Sequence, residues 1–117
     1  MTNNLYLVFS QKPDHISHDE YHAWYVDHAQ ENIESPGFVN AQRYITQEIA
    51  NSQPVGDEQH LVVYEYAGDM ARWRTDLTKR IQTGDVVLPD WFKQIKFASW
   101  SCTPTGGLLT PTTHSTT

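Results

Sequence analysis

Residues 59–82 read QHLVVYEYAGDMARWRTDLTKRIQ, and this stretch decides the fold. Its first eight positions are dominated by β-branched, aliphatic and aromatic side chains, the composition of a strand packed on a pleated surface. Gly68-Asp69 ends the run and opens a helix, which continues to about Gln82 and stops at Thr83-Gly84. A strand therefore feeds directly into a helix, and the same succession is found earlier in the chain. Residues 4–10 (NLYLVFS) form a strand closed by the turn-prone Lys12-Pro13-Asp14. Ser17 followed by Glu20 has the spacing of a capping box, and Ile16 is placed to staple onto Tyr21, so a helix begins near His18. It ends at Ser35-Pro36-Gly37. Residues 37–49, with Phe38, Val39, Tyr44 and Ile45 set among polar residues, read as a second strand, and residues 51–58, with Pro54 and Gly56, as a loop. Beyond the second helix, Pro89 to Lys93 forms a short helical piece and residues 94–102 a last strand. Residues 103–117 are mostly Thr, Pro, Gly and Ser, a tail that is loosely held or ordered only on a partner.

The predicted order is β-α-β-β-α-β, two copies of strand-helix-strand. It specifies an α+β, ferredoxin-like architecture over residues 1–103, an antiparallel four-stranded sheet with both helices on one face, followed by the tail at 104–117. A sheet covered on one side only leaves apolar strand residues uncovered on the other. In a chain of 117 residues the missing layer comes from a second copy, so a homodimer is expected.

Composition removes several functions. Eight Lys+Arg against fourteen Asp+Glu give a net charge of −6, and no basic run provides a stripe for phosphates, so nucleic acid is not an expected partner. No apolar run approaches the roughly 20 residues that span a bilayer, and the first residues lack a basic segment followed by a long apolar one. A single cysteine, Cys102, cannot close an intrachain disulfide and reads as a buried structural thiol, in agreement with a cytoplasmic location. No glycine-rich phosphate loop, GxSxG elbow or HExxH motif is present, so no cofactor is expected. His18 and His22 have the i, i+4 spacing of metal ligands with His15 just upstream, but no acid or thiol completes a set, and no metal is expected.

Chemistry is suggested instead by the first helix. At 100° per residue Tyr21, Trp24, Tyr25, His28 and Asn32 fall within an arc of roughly 100°, with Asp19, Glu20, Asp27, Gln30 and Glu31 opposite. As the face turned to the sheet this is an unusual one, with aromatics, an imidazole and an amide where Leu, Ile and Val are ordinary. One reading makes it the wall of a cavity in which His28 is a general acid/base and the tyrosines donate hydrogen bonds to a ligand oxygen. The other makes His28 a core histidine satisfied by a carbonyl or a tyrosine. His60 opens the third strand and shares a face with Tyr64 and Tyr66; it either reaches across to His28 as an acid/base partner or is a surface residue at a strand end. Arg43, in the second strand, either orients a carboxylate or enolate or pairs with a glutamate.

The segments YLVFSQKP (6–13), SHDEYHAWYVDH (17–28), SPGF (35–38) and QRY (42–44) together resemble the dimeric α+β barrel superfamily, and within it EthD-like proteins and small muconolactone-type isomerases. The resemblance covers about the first 45 residues; the rest agrees in element order. It implies a homodimer whose two sheets close into a barrel, with a ligand cavity between sheet and helices in each subunit. Activities in that superfamily include lactone isomerases, polyketide cyclases and dehydratases, cofactor-free monooxygenases and haem-dependent enzymes. It implies further that His28 is the catalytic helix histidine and that Tyr21, Trp24 and Tyr25 line the cavity; His60 has no counterpart. The expectation is a cofactor-independent enzyme acting by proton transfer on a small oxygenated aromatic, polyketide-like or lactone molecule. His28, His60 and Tyr25 are its candidate catalytic residues, with Tyr21, Trp24, Asn32, Arg43 and Tyr64 contacting substrate. A cofactor-free monooxygenase and a non-catalytic binding module are the alternatives.

Overall fold

The computed structural model describes residues 3–47, 49 and 60–112. The predicted loop at 51–58, Gln59 and the last five residues of the tail lie outside them. Strand β1 (Asn4–Gln11) is followed by helix α1 (His18–Ile33), strands β2 (Phe38–Ile45) and β3 (His60–Tyr66), helix α2 (Met70–Gln82), a 3-10 turn (Asp90–Gln94) and strand β4 (Lys96–Cys102). All pairings are antiparallel, in the order β2-β3-β1-β4. The fold is ferredoxin-like, as the element order requires. Residues 103–112 form no helix or strand.

Local chemistry accounts for the boundaries. Ser17 caps α1 by accepting from the Glu20 amide at 3.1 Å, and Asp69 caps α2 by accepting from the Ala71 amide at 2.9 Å. Strand β2 is shorter than expected at both ends. A bulge between Phe38 and Asn40 resets its register, and Ile45, 79% exposed, closes its pairing opposite His60.

Gly37 joins α1 to β2 at φ +100°, and its carbonyl accepts from the Ala67 amide at 2.7 Å. A Cβ at this position would stand 2.6 Å from the Ala67 carbonyl oxygen. Gly37→Ala thus combines a left-handed backbone with a backbone clash, and is expected to destabilise the fold by about 3 kcal/mol. Urea unfolding measures it, and a loss below about 1 kcal/mol would show that the turn relaxes.

Alternation along the strands gives the sheet two unlike faces. Toward the helices point Tyr6, Val8 and Ser10 of β1 and His60, Val62, Tyr64 and Tyr66 of β3, all buried. Of these, Tyr6, Val8, Val62, Tyr64 and Tyr66 form one core with Ile16 just ahead of α1, Tyr21, Tyr25 and Ala29 of α1 and Trp73 of α2. The opposite face is apolar: Leu7 of β1 lies between Val63 and Trp100, and Phe9 between Leu61 and Ala98. Trp100 is 56% exposed and Tyr44 50%. Cys102, paired with Leu5, sits on this face and is only half-buried. The expectation of a buried thiol fails because β4 is an edge strand whose outer side has no layer over it within the chain.

Candidate active site

Helix α1 presents Tyr21, Tyr25, His28 and Asn32 to the sheet, all buried, with Trp24 half-buried beside them. The helical period does this, since the steps of four, three and four residues keep one stripe facing inward. The residues divide into two groups along the helix axis.

The deeper group surrounds His28. Its imidazole stacks on Trp24 with ring centroids 4.7 Å apart and an interplanar angle of 15°. Tyr25 and Phe92 meet it edge-on at 5.7 and 5.8 Å, and Trp91 closes over Trp24 at 4.9 Å. The 3-10 turn before β4 thus supplies the outer wall of an aromatic box. His28 is 7% exposed, and its buried Nδ1 has no hydrogen-bond partner among the described residues. One turn further on, about 6 Å along the axis, Asn32 donates from Nδ2 to the Tyr64 hydroxyl at 3.0 Å while its Oδ1 is buried and has no partner among the described residues. The Tyr25 hydroxyl has no hydrogen-bond partner among the described residues. Burial lifts its pKa well above 10, so it stays protonated and serves as a donor. The Tyr64 hydroxyl is held near 12 for the same reason.

Burial without a counter-charge lowers the His28 pKa to about 4, so the ring is neutral throughout the physiological range. The folded group binds fewer protons than the unfolded one between pH 4 and 6.5, and stability must rise with pH across that window. Lowering the pH from 7 to 4.5 is expected to remove about 2–3 kcal/mol through His28. Urea midpoints of the wild type and His28→Gln over this range isolate the effect, because carboxylate contributions are common to both. Parallel profiles would contradict the neutral buried imidazole.

The outer group gathers at the N-terminal end of α1. His60, 2% exposed, contacts Tyr21 edge-on at 4.8 Å, and its Nε2 lies 3.3 Å from His18 Nδ1. Tyr21 donates to Ser10 Oγ at 2.6 Å. The Arg43 guanidinium contacts His60 Nδ1 at 3.0 Å, His22 Nδ1 at 2.9 Å and the His22 carbonyl at 3.3 Å. It lies over the Tyr25 ring, 4.6 Å from its centroid. Burial, then Arg43, lowers the His60 pKa to about 4.

His60 therefore does not pair with His28. Ten residues separate His18 from His28, about 15 Å of helix, and β1–β3 pairing places His60 opposite Ser10, close to where the chain enters α1. His60 is also not a surface residue, and Arg43 takes imidazole partners rather than a glutamate. His18 and His22, both exposed, read from sequence as a weak metal-ligand pair or as ordinary solvated residues at a helix start. Their place beside Arg43 could have been suspected from the i, i+4 spacing, but depends on a strand more than twenty residues away. A guanidinium on the Nδ1 atoms of His22 and His60 occupies the lone pairs a metal would need. Ser10, Trp91 and Phe92 are further contacts that no local motif announced.

No protein-family model matches the chain, and no curated protein matches it. Among solved structures, one from Shewanella loihica PV-4, described as a "putative monooxygenase", aligns with a TM-score of 0.59 at 11% identity, covering 92% of this chain and 99% of its own. A dimeric ferredoxin-like protein from an uncultured marine organism aligns at 0.49 and 12% identity, covering 92% and 100%. At such identities the likeness is one of fold, and the fold is ferredoxin-like. No helix among the described residues is long and apolar enough to cross a membrane.

Proposed function

We propose that the chain is a cofactor-independent enzyme that moves a proton on carbon beside a carbonyl, in a small oxygenated molecule with an aromatic, polyketide-like or lactone body. The observation that carries this reading is the orphaned Nδ1 of His28 inside the aromatic box. A buried acceptor without a partner costs about 1–3 kcal/mol, and a neutral imidazole so placed is suited to take a proton from a bound substrate or hydrogen-bond its hydroxyl. Tyr25, protonated and uncommitted, donates to the oxygen on which charge develops, and Asn32 Oδ1 accepts from a substrate hydroxyl. Trp24, Trp91 and Phe92 hold the apolar body and exclude water, which strengthens each of these interactions. Cyclisation, isomerisation and dehydration share the enolate that such a site stabilises.

The apolar outer face supports a second part of the reading, that two copies pack sheet to sheet, as the sequence resemblance implies. Each active unit is then one protomer of a homodimer whose small-molecule site lies on the helix side of its sheet. Cofactor-free oxygenation in the same box is a second reading, favoured by the electron-rich, half-buried Trp24–Trp91 pair. Oxygen uptake with a hydroxylated aromatic separates the two: proton-transfer chemistry proceeds unchanged under argon, and oxygenation stops.

A further inference from the structure

The outer group carries an inference of its own, about the kind of substrate the box receives. Arg43 is half-buried and, among the described residues, has no carboxylate partner; the ion pair present is Arg80 with Asp76, at 4.0 Å on α2. Its Nε is buried and unpaired. A guanidinium is always charged and only donates, so its two imidazole contacts fix their tautomers. Nδ1 of His22 and of His60 must accept, which leaves the proton of each ring on Nε2. His60 Nε2–H then donates to His18 Nδ1 at 3.3 Å, and His18 in turn carries its proton on Nε2. The Nε2–H groups of His18 and His22 have no partner among the described residues, and both rings are exposed. The group therefore offers hydrogen-bond donors around one uncompensated positive charge, with Lys12 near enough to act on His60 and no acid bound to it.

We propose that Arg43, His18 and His22 form a carboxylate-binding subsite at the outer end of the aromatic box, and that the substrate is a carboxylic acid with an apolar body. A single guanidinium among neutral imidazoles matches a monoanion better than a phosphate dianion. Tyr25 connects the two groups, with Arg43 4.6 Å from its ring centroid and His28 5.7 Å from the same ring. A carboxylate held at Arg43 directs its body along Tyr25 toward His28. The proposal rests on the reading of the box as a substrate site, yet its anion chemistry is tested by binding alone.

Titration calorimetry of the full chain at pH 7 with benzoate, benzyl alcohol and inorganic phosphate makes the test, on wild type, Arg43→Gln and His22→Gln. Benzoate is expected to bind at least tenfold tighter than benzyl alcohol. Arg43→Gln should remove that preference and His22→Gln weaken it several-fold, with benzyl alcohol unaffected by either. Two-bond proton–nitrogen spectra should show His18, His22 and His60 as Nε2–H tautomers, and the unchanged His28 signal in Arg43→Gln reports an intact fold. Equal affinity for acid and alcohol, a benzoate affinity indifferent to Arg43, no benzoate binding, or an Nδ1–H tautomer at His22 or His60 would overturn the proposal. Phosphate binding tighter than benzoate would also overturn it, in favour of a phosphate site. Absence of an anion preference in the wild type, with turnover still dependent on His28, removes only the carboxylate subsite. An anion preference retained beside a dispensable His28 removes only the catalytic reading.

Discussion

His28→Gln is expected to lower turnover by about two to four orders of magnitude, the usual contribution of a positioned general acid/base, while ligand affinity changes only a few-fold. The reason lies in the division of labour within the box. Under the proposed function, Trp24, Trp91 and Phe92 supply the contact area for an apolar body, and these side chains remain in the variant. What disappears is the box's own buried nitrogen, which has no partner among the described residues. Glutamine keeps a polar group of similar reach but cannot exchange a proton near neutral pH. A loss confined to kcat with KM nearly constant reports an interaction made in the transition state, whereas a rise in KM alone reports a binding residue. Steady-state kinetics of the purified variant, with its thermal midpoint as a control for folding, gives the split. A variant with full turnover removes His28 from the chemistry.

Placing two charges on the outer sheet face, Leu7→Glu with Trp100→Glu, is expected to convert a dimer into a monomer. Leu7 lies between Val63 and Trp100 in the register, so one substitution falls on an inner strand of the apolar face and the other beside it on the edge strand β4, both away from the box. An interface of ordinary size buries about 800 Å² per partner, and two carboxylates within it oppose burial by several kcal/mol. Light scattering behind a sizing column should give the wild type a mass near twice 13.5 kDa at micromolar concentration, and the double variant the mass of one chain. The helix-side core is untouched, so circular dichroism should report the same secondary structure. A wild type that runs as one chain would leave Trp100 and Tyr44 as ordinary exposed aromatics and end the dimer reading.

The element order was legible because its signals are local. Ser17 and Asp69 announce their helices by side-chain caps, Gly37 and Gly84 end them, and the alternation in 60–66 puts Tyr64 and Tyr66 on the buried face. The stripe on α1 was legible for a similar reason, since helical period alone brings Tyr21, Tyr25, His28 and Asn32 together. Positions fixed by the third dimension were not. The partner of His60 depends on the β1–β3 register, which sets it beside the start of α1 and three turns short of His28. The role of His18 and His22 depends on Arg43 arriving from β2. Trp91 and Phe92 reach the box only through the 3-10 turn, whose sequence carries no sign of its destination. Cys102 failed as a buried thiol because burial of that face requires a layer the chain does not itself provide.

The proposed function depends on chemistry by His28 in the aromatic box. It is tested most directly by a thermal-shift screen of wild type and His28→Gln against phenols, lactones, polyketide fragments and aromatic acids, with each shared hit followed for consumption. A ligand at about 100 times its dissociation constant adds roughly 2.7 kcal/mol and raises the midpoint by several degrees. A hit that stabilises both proteins and is consumed by the wild type alone is expected. Equal consumption by both proteins, or binding to both with consumption by neither in air or under argon, would contradict it.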